Sequence, residues 1–282
     1  MPAPGEPYVR YGGHTSRVGL ARSGEQPCLV LDAGTGLVNL DAVLGPAAFR
    51  GTLLLGHLHW DHTQGMPFFV AGTRPGHRVA VLLPAQGQGR DAELVLARTM
   101  SPPYFPIEPH ALGEGWRFGS IEEGEHEIEG FSVLAREIPH KGGRTFGYRV
   151  SDGTHAVAYF SDHHPLALGS GPSGLGELHP AAVALARDVD LLIHDAQYTV
   201  GELPALAYLG HSCAEYAISL AAKAGARQVC LFHHAPRRTD QALDELAARY
   251  ADGAIPVFAA RDGLTVRLAS RESPQEERGL RQ

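Results

Sequence analysis

The sequence predicts an α/β fold built from layers of sheet and helix. Short β-like runs alternate with helical segments in both halves of the 282-residue chain, which favours α/β layers over a helix bundle or an all-β sandwich. The hydrophobic content of 44% and the charged fraction of 20% are those of an ordinary globular protein. No internal repeat is visible.

The predicted strands are short apolar runs, and the predicted helices carry recognisable ends. Thr239 or Asp240 is suited to cap the last helix, and Gly225 is suited to follow the one before it. The predicted helices are Asp91–Met100, Pro180–Arg187, Ala214–Ala224 and Thr239–Tyr250. The predicted strands are Ser16–Ala21, Cys28–Leu31, Thr52–Leu55, Val79–Leu83, Phe131–Ile138, Phe146–Val150, Ala156–Phe160, Asp190–Ile193, Gln228–Phe232, Pro256–Ala259 and Leu264–Leu268.

The composition does not shift strongly enough anywhere to divide the chain. We therefore expect residues 1–270 to form one domain and residues 271–282 to form a polar C-terminal tail. The Gly/Ser/Pro stretch Ala167–Gly176 is typical of a surface connection rather than of a linker between domains.

Charge and cysteine usage exclude several classes of protein. The net charge is −7, which gives no strong footprint for general nucleic-acid binding. No run of about eighteen apolar residues is present, so a membrane span is not expected, and Met1–Tyr11 lacks the apolar core of a secretory signal. The three cysteines, without CxxC spacing, favour reduced thiols and a cytoplasmic location.

Sixteen histidines are an unusually large share, and the most informative of them follow a strand. The apolar run Thr52–Gly56 leads directly into His57–His62, which reads HLHWDH. Histidines at i and i+2 can face the same side, and Asp61 and His62 in the following turn can face a second point. Imidazoles with one carboxylate suit Zn²⁺ and can also hold Mn²⁺ or Fe²⁺.

The HxHxDH hexapeptide resembles the signature of the metallo-β-lactamase superfamily, and similar motifs follow in order. Leu29–Gly36 resembles the family's early strand and turn, with Asp32 as support for the metal loop. His140, Asp162 and His233 each follow a strand-like run, as the family's later ligands do. The resemblance implies a four-layer αβ/βα sandwich, in which two β-sheets pack together and helices lie outside.

The resemblance also implies two divalent metal ions and a set of ligands. His57, His59 and His140 would hold one ion, Asp61, His62 and His233 the other, and Asp162 would lie between them.

Two runs of histidine leave assignments open. His234 follows His233, so the last ligand could be either, although His233 stands at the end of the strand. His163 and His164 follow Asp162 and can support a ligand, contact substrate or lie in an exposed loop.

Two later motifs resemble those of the ribonuclease Z-like phosphodiesterases. His194–Gln197 follows a strand and His211 precedes a helix, which implies that Asp195 and His211 cooperate near a phosphate. Asp195 stands where that branch often has Glu, and Cys213 where it often has Thr. A histidine at a helix start can alternatively cap the helix or contact an anion.

The chain also departs from the tRNA-processing members. Only 21 residues separate His140 from Asp162, which leaves no room for their long tRNA-gripping arm. Segments 10–16, 101–106 and 231–236 instead resemble an uncharacterised bacterial group of hydrolases. Relatives usually carry an extra apolar strand before the Pro2–Gly5 segment, and its absence predicts a shortened N-terminus or an alternative start.

We therefore expect a dinuclear metal-dependent hydrolase that acts through a metal-bridging hydroxide on a small-molecule or short phosphodiester substrate. Asp61, His211 and Asp195 are the predicted catalytic residues. The alternatives are an ester, thioester or lactone hydrolase on the same metal core, and a metal-binding sensor without catalysis. A homodimer is compatible with the sequence.

The aromatic residues near the metal motif have two interpretations. The segment Ser101–Pro106, with Trp60, Phe68 and Phe69, can form a lip over the metals or a packed loop braced by proline.

Overall fold

The computed structural model describes residues 5–87 and 91–269, whose strands form two sheets. The first sheet has five strands in chain order. The first pair is antiparallel and the other neighbours are parallel. The strands are β1 (Val18–Leu20), β2 (Leu29–Leu31), β3 (Arg50–Leu54), β4 (Arg78–Pro84) and β5 (Trp116–Ile121).

The second sheet has seven strands, four of them parallel. They are β6 (Gly124–Ile128), β7 (Phe131–Glu137), β8 (Phe146–Ser151), β9 (Ala156–Phe160), β10 (Leu191–Asp195), β11 (Val229–Phe232) and β12 (Val257–Ala259). Their order across the sheet is β12-β11-β10-β9-β8-β7-β6, and β6 to β9 are joined antiparallel.

Helices lie in the connections between the strands. They are α1 (Leu40–Leu44), α2 (Ala92–Ala97), α3 (Pro180–Ala186), α4 (Leu203–Leu206), α5 (Ala214–Ala224) and α6 (Asp240–Ala248). Helix α5 ends at Gly225, which has the left-handed φ of 75° that glycine tolerates. The Thr239 side chain accepts a hydrogen bond from the Ala242 N–H at the start of α6, as its N-cap position predicts.

Alternation along the strands divides the apolar residues among three cores. Leu29, Leu31 and Leu54 belong to the core between the two sheets, whereas Val30 and Leu53 face the opposite way, toward the helical side. A third core joins the second sheet to α3 and α5. The layers therefore run helix, sheet, sheet, helix, which confirms the predicted four-layer sandwich.

The carboxyl ends of the parallel strands lie at one edge of the sandwich. Strand β2 ends before Asp32 and β3 before His57, in the first sheet. In the second sheet, β9 ends before Asp162, β10 ends at Asp195 and β11 ends before His233. The topology thus gathers the polar residues that follow these strands.

Some element predictions were wrong. Leu264–Leu268 is irregular, and its Leu264 and Val266 side chains remain partly exposed, because alternation alone supplies no neighbouring strand to pair with. Strands β5 and β6 and helices α1 and α4 were not predicted. Strand β6 carries charged residues on an exposed face, which hides its pattern. The predicted tail, residues 271–282, lies outside the described residues.

The described helices are all too short or too polar to cross a membrane.

Candidate metal centre

The predicted metal loop leaves strand β3 and turns back on itself within six residues. His57 is buried directly after the strand, and a single helical turn over Trp60–His62 follows. This turn packs tightly against the loop after β2, because a Cβ atom on Gly34 would lie 2.2 Å from the carbonyl oxygen of Asp61. The absence of a side chain at Gly34 therefore lets the two loops meet.

Four side chains form what we call the first donor set. It consists of His57, His59 and His140 with one carboxylate oxygen of Asp162. Asp162 Oδ2 lies 3.6 Å from Nε2 of His57 and 3.3 Å from Nε2 of His140. Nε2 of His140 is also 3.4 Å from Nδ1 of His59. The four donor atoms thus surround one point in space.

Asp61, His62 and His233 form the second donor set, and Asp162 lies against it. Asp162 and His233 also form an overlapping group with His211. Asp61 Oδ2 lies 3.4 Å from Nε2 of His62 and 3.2 Å from Nε2 of His233. These two nitrogens are 3.1 Å and 3.4 Å, respectively, from Oδ1 of Asp162. Asp162 therefore turns one oxygen toward each set.

These spacings and contacts fit metal ions. Ligands at 2.0–2.1 Å from a tetrahedral ion lie about 3.4 Å from one another, close to the distances above. Nε2 of His57, Nε2 of His62 and Oδ1 of Asp162 are buried without a hydrogen-bond partner in the described part of the chain. Buried polar atoms without partners are costly, and metal ions at the two donor sets would satisfy all three.

Asp32 holds His62 from behind. Its carboxylate is completely buried and accepts hydrogen bonds of 2.7 Å from His62 Nδ1, Tyr159 O–H and Gly56 N–H. The backbone of Asp32 has a φ of 59°, a strained value for a residue with a side chain. The expected support for the metal loop is therefore present, and it orients Nε2 of His62 toward the donor set.

Two further supports were not predicted. His140 Nδ1 donates to the carbonyl oxygen of Gly210 at 2.8 Å, and His233 Nδ1 lies 2.9 Å from the side-chain amide of Gln197. Each contact leaves the other ring nitrogen facing a donor set. Gln197 stands in the motif that singled out Asp195, but nothing in its spacing indicated this role.

Burial and charge act in opposite directions on the histidines. Burial lowers the pKa of His57 well below its usual value, and it also lowers the pKa of His59 and His140. In the second donor set burial acts the same way, but nearby carboxylates outweigh it. Asp162 and Asp61 raise the pKa of His233 to about 9, and Asp162 and Asp32 raise that of His62 well above 6.5.

The predicted pair of Asp195 and His211 lies beside the donor sets. Nδ1 of His211 is 3.0 Å from Oδ2 of Asp195 and 3.6 Å from Oδ2 of Asp162. Its ring stacks on His233 with centroids 5.0 Å apart. Asp195 is buried within strand β10 rather than following the strand, and it also accepts hydrogen bonds from the N–H groups of His163, Gln197 and Ser212. The Asp195 carboxylate is thus held rigidly.

The histidine runs separate in the structure. His233 faces Asp61, whereas His234 turns away and lies with Nε2 3.0 Å from the carbonyl oxygen of Ala260. His163 is completely buried, so its interpretation as an exposed loop residue was wrong. His164 is half-buried after Asp162.

The aromatic residues also divide. Phe69 is buried against Phe49 and is a core residue, because it lies on the helical side of the first sheet. Trp60, Phe68 and Tyr104 are exposed, and Phe68 contacts the loop residue Phe105 edge-on at 6.2 Å.

Comparisons with known proteins agree with this architecture. Residues 29–234 match the family model described as the beta-lactamase superfamily domain. Ribonuclease Z of Brevibacillus brevis is 38% identical over 224 residues, which cover 67% of this chain and 69% of the relative. Ribonuclease Z of Salinibacter ruber is 26% identical over 280 residues, which cover 84% of each chain.

A solved structure shows the same fold. The metallo-β-lactamase fold protein YhfI from Bacillus subtilis has a TM-score of 0.66 and 18% identity, with 90% of this chain and 94% of that chain covered. The family match spans the strands that carry both donor sets. The chain therefore belongs to the beta-lactamase superfamily of metallo-β-lactamase-fold hydrolases, with ribonucleases Z among its relatives.

Proposed function

We propose that the chain is a dinuclear metal-dependent phosphodiesterase. The observation that carries the proposal is the placement of Asp162, whose two carboxylate oxygens face different donor sets. The first donor set offers three imidazoles and the second offers two with the Asp61 carboxylate, which is donor chemistry suited to Zn²⁺ and also to Mn²⁺ or Fe²⁺. Divalent ions in such a site lower the pKa of water and neutralise charge on phosphoryl oxygens.

The residues around the donor sets would handle the protons. His211 binds Asp195 through Nδ1, which leaves Nε2 to donate to the leaving oxygen or to stabilise charge at the phosphate. The buried Asp195 carboxylate would keep the Nδ1 proton in place and so fix the orientation of the His211 ring. Asp61 is the more exposed carboxylate of the two sets, and it would both hold a metal and accept a proton from the nucleophile.

Two observations favour a phosphodiester over other hydrolysable groups. The relatives are named ribonuclease Z, and the bond that a ribonuclease cleaves is a phosphodiester. Asp195 and His211 also lie together beside the donor sets, as the resemblance to phosphodiesterases implied.

The cleft at the donor sets and the short connection between His140 and Asp162 favour a short phosphodiester over tRNA. The site opens into a cleft of about 1400 Å³ whose lining includes Trp60, Asp162 and His211, large enough for more than a compact small molecule. Between His140 and Asp162 the chain forms only β8, a short turn and β9. With a net charge of −7, it offers no arm or general charge for gripping tRNA. A cytoplasmic location and a homodimer remain predictions.

Turnover of contrasting substrates tests the proposal. Metal-loaded protein is assayed with bis-p-nitrophenyl phosphate and cyclic nucleotides, and in parallel with thioesters and lactones. We expect phosphodiester hydrolysis, and its absence alongside robust ester turnover would replace the proposal with the ester hydrolase alternative.

The substitution His211→Ala separates catalysis from metal binding. We expect kcat for phosphodiesters to fall about 10²- to 10⁴-fold with metal content unchanged, because His211 Nδ1 lies 3.0 Å from Asp195 Oδ2 and 3.6 Å from Asp162 Oδ2. His110→Ala is the matched control, since that histidine is exposed and pairs only with surface carboxylates. Loss of metal from His211→Ala would instead make His211 a ligand.

A further inference from the structure

Two buried histidines close a ring of hydrogen bonds around Asp195. His194 Nδ1 lies 2.7 Å from the carbonyl oxygen of Asp195, and His194 Nε2 lies 3.0 Å from Nδ1 of His163. The backbone N–H of His163 then donates to Oδ2 of Asp195 at 3.1 Å. All three residues are completely buried. The His194 imidazole therefore holds the Asp195 carbonyl, and the backbone of His163 holds the Asp195 carboxylate. The hydrogen bond between the two imidazoles fixes that backbone relative to Asp195.

The ring has a defined direction. A carbonyl oxygen only accepts hydrogen bonds, so Nδ1 of His194 carries a proton. Burial lowers the pKa of His194 and favours its neutral form. Nε2 of neutral His194 is then an acceptor, and Nδ1 of His163 is its donor. Each of the two imidazoles therefore has one tautomer that fits these hydrogen bonds.

Packing alone does not require histidine at these positions. The His194 and His163 rings lie 5.3 Å and 6.0 Å from Phe160 of β9, and 5.6 Å and 5.3 Å from Tyr216 of α5. Apolar side chains would fill such an aromatic pocket without the cost of burying imidazoles. The polar pair must therefore contribute through its hydrogen bonds.

The atom that the ring fixes is the one that His211 uses. Oδ2 of Asp195 accepts from His163 N–H and lies 3.0 Å from His211 Nδ1. We infer that His163 and His194 are positioning residues that hold the Asp195 carboxylate toward His211. The inference rests on the proposed catalytic role of His211, and neither histidine touches the donor sets through its ring.

Isosteric substitutions separate hydrogen bonding from packing. Asparagine and leucine have nearly the same shape, but asparagine retains a donor close to the position of Nδ1. His194→Asn keeps the hydrogen bond to the Asp195 carbonyl, whereas His194→Leu removes it. His163→Asn and His163→Leu form the same contrast for the donor to His194. At each position, leucine and asparagine leave cavities of similar size, so the two variants differ mainly in hydrogen bonding.

The kinetic readout is kcat for bis-p-nitrophenyl phosphate, with metal content and Tm measured on every variant. We expect His194→Leu to lower kcat about 10- to 100-fold with little change in KM, as loss of a supporting hydrogen bond does elsewhere, and His194→Asn to recover most of that loss. In a His211→Ala background, His194→Leu should have no further effect. The inference would be overturned if His194→Leu and His194→Asn lowered kcat equally. It would also be overturned if His194→Leu lowered kcat as much in the His211→Ala background as in the wild type.

A spectroscopic measurement tests the ring without any substrate. Proton–nitrogen correlation spectra of the wild type should contain protected imidazole N–H signals from His163 and His194, in addition to those of other buried imidazoles such as His62. His163→Leu should remove one, His194→Leu the other, and His163→Asn should preserve the signal of His194. If neither signal is present, the ring does not exist. If the signals are present but phosphodiesters are not hydrolysed, the proposed function fails. The kcat values of the variants are then measured with the ester substrate that the protein hydrolyses.

Discussion

Asp32→Asn is the most informative single change, because it alters one atom at a support of the metal loop. The Asp32 carboxylate is completely buried and accepts three hydrogen bonds. If the new amide oxygen stays on Gly56 N–H, the NH₂ group replaces Oδ2 and meets Nδ1 of His62 and the hydroxyl of Tyr159. The hydroxyl can rotate and accept. Nδ1 of His62 can accept only if its proton moves to Nε2, the atom that faces the second donor set.

The opposite amide orientation is no better. It places the NH₂ group against Gly56 N–H, and a buried donor without an acceptor costs about 1–3 kcal/mol. Hydrogen bonds to a charged group contribute about 1.5–3 kcal/mol and neutral ones about 1. Asp32→Asn weakens three hydrogen bonds, but a neutral amide costs less to bury than a carboxylate. We therefore expect the free energy of unfolding to fall by about 2 kcal/mol.

The assay is metal affinity by competition with a chelator, together with chemical denaturation of the metal-free protein. We expect Asp32→Asn to lower the affinity for one of two metal ions about 10- to 100-fold and to leave the affinity for the other unchanged. Tyr159→Phe is the matched control, because it removes one donor to Asp32 but keeps the carboxylate and the His62 tautomer. Two ions bound with wild-type affinity in Asp32→Asn would refute the reasoning.

Three further predictions concern the site and the scaffold. Gly142→Ala should lower metal affinity at least tenfold by chelator competition, because its Cβ would lie 2.6 Å from Nε2 of His59 and its φ is 86°; unchanged affinity would mean that the loop shifts freely. In metal-free protein the pKa of His233 is raised to about 9 and that of His62 is also raised. Both must lose protons to bind a metal, so affinity at the second donor set should increase from pH 7 to 9, and calorimetry in different buffers should find more protons released there than at the first donor set. Thr239→Ala should cost about 1 kcal/mol and lower Tm by about 2–4 °C without changing kcat, because it removes only the cap of α6; an unchanged Tm would show that the cap contributes nothing.

The site was more predictable than the elements around it, for a topological reason. The carboxyl ends of parallel strands meet at one edge, so a residue that follows an apolar run can be placed without knowing the strand order. Asp32, His57 and Asp162 all follow such runs, and the structure brings them together. Leu264–Leu268 has the alternation of a strand but is irregular, because pairing depends on a neighbour that the sequence does not specify.

What the sequence could not provide was orientation. Asp32 and His233 have φ values of 59° and 54°, which are uncommon for any residue other than glycine and which the surrounding packing imposes. The Gln197 amide reaches His233 from a different strand end. The ring of hydrogen bonds that His163 and His194 form around Asp195 likewise depends on β9 and β10 being neighbours. These contacts join residues that are distant in sequence, and their spacing carries no signal.

The two sheets must be packed together before the site exists. The His57–His62 loop comes from the first sheet, whereas His140, Asp162 and His233 come from the second. Two hydroxyls also cross between the sheets, since Tyr148 donates to the Leu55 carbonyl and Tyr159 to Asp32. A metal held by both donor sets would therefore bind the folded chain far better than the unfolded one, and its binding free energy would add to that of sheet packing. The same side chains that hold the ions would then act as the strongest link between the layers.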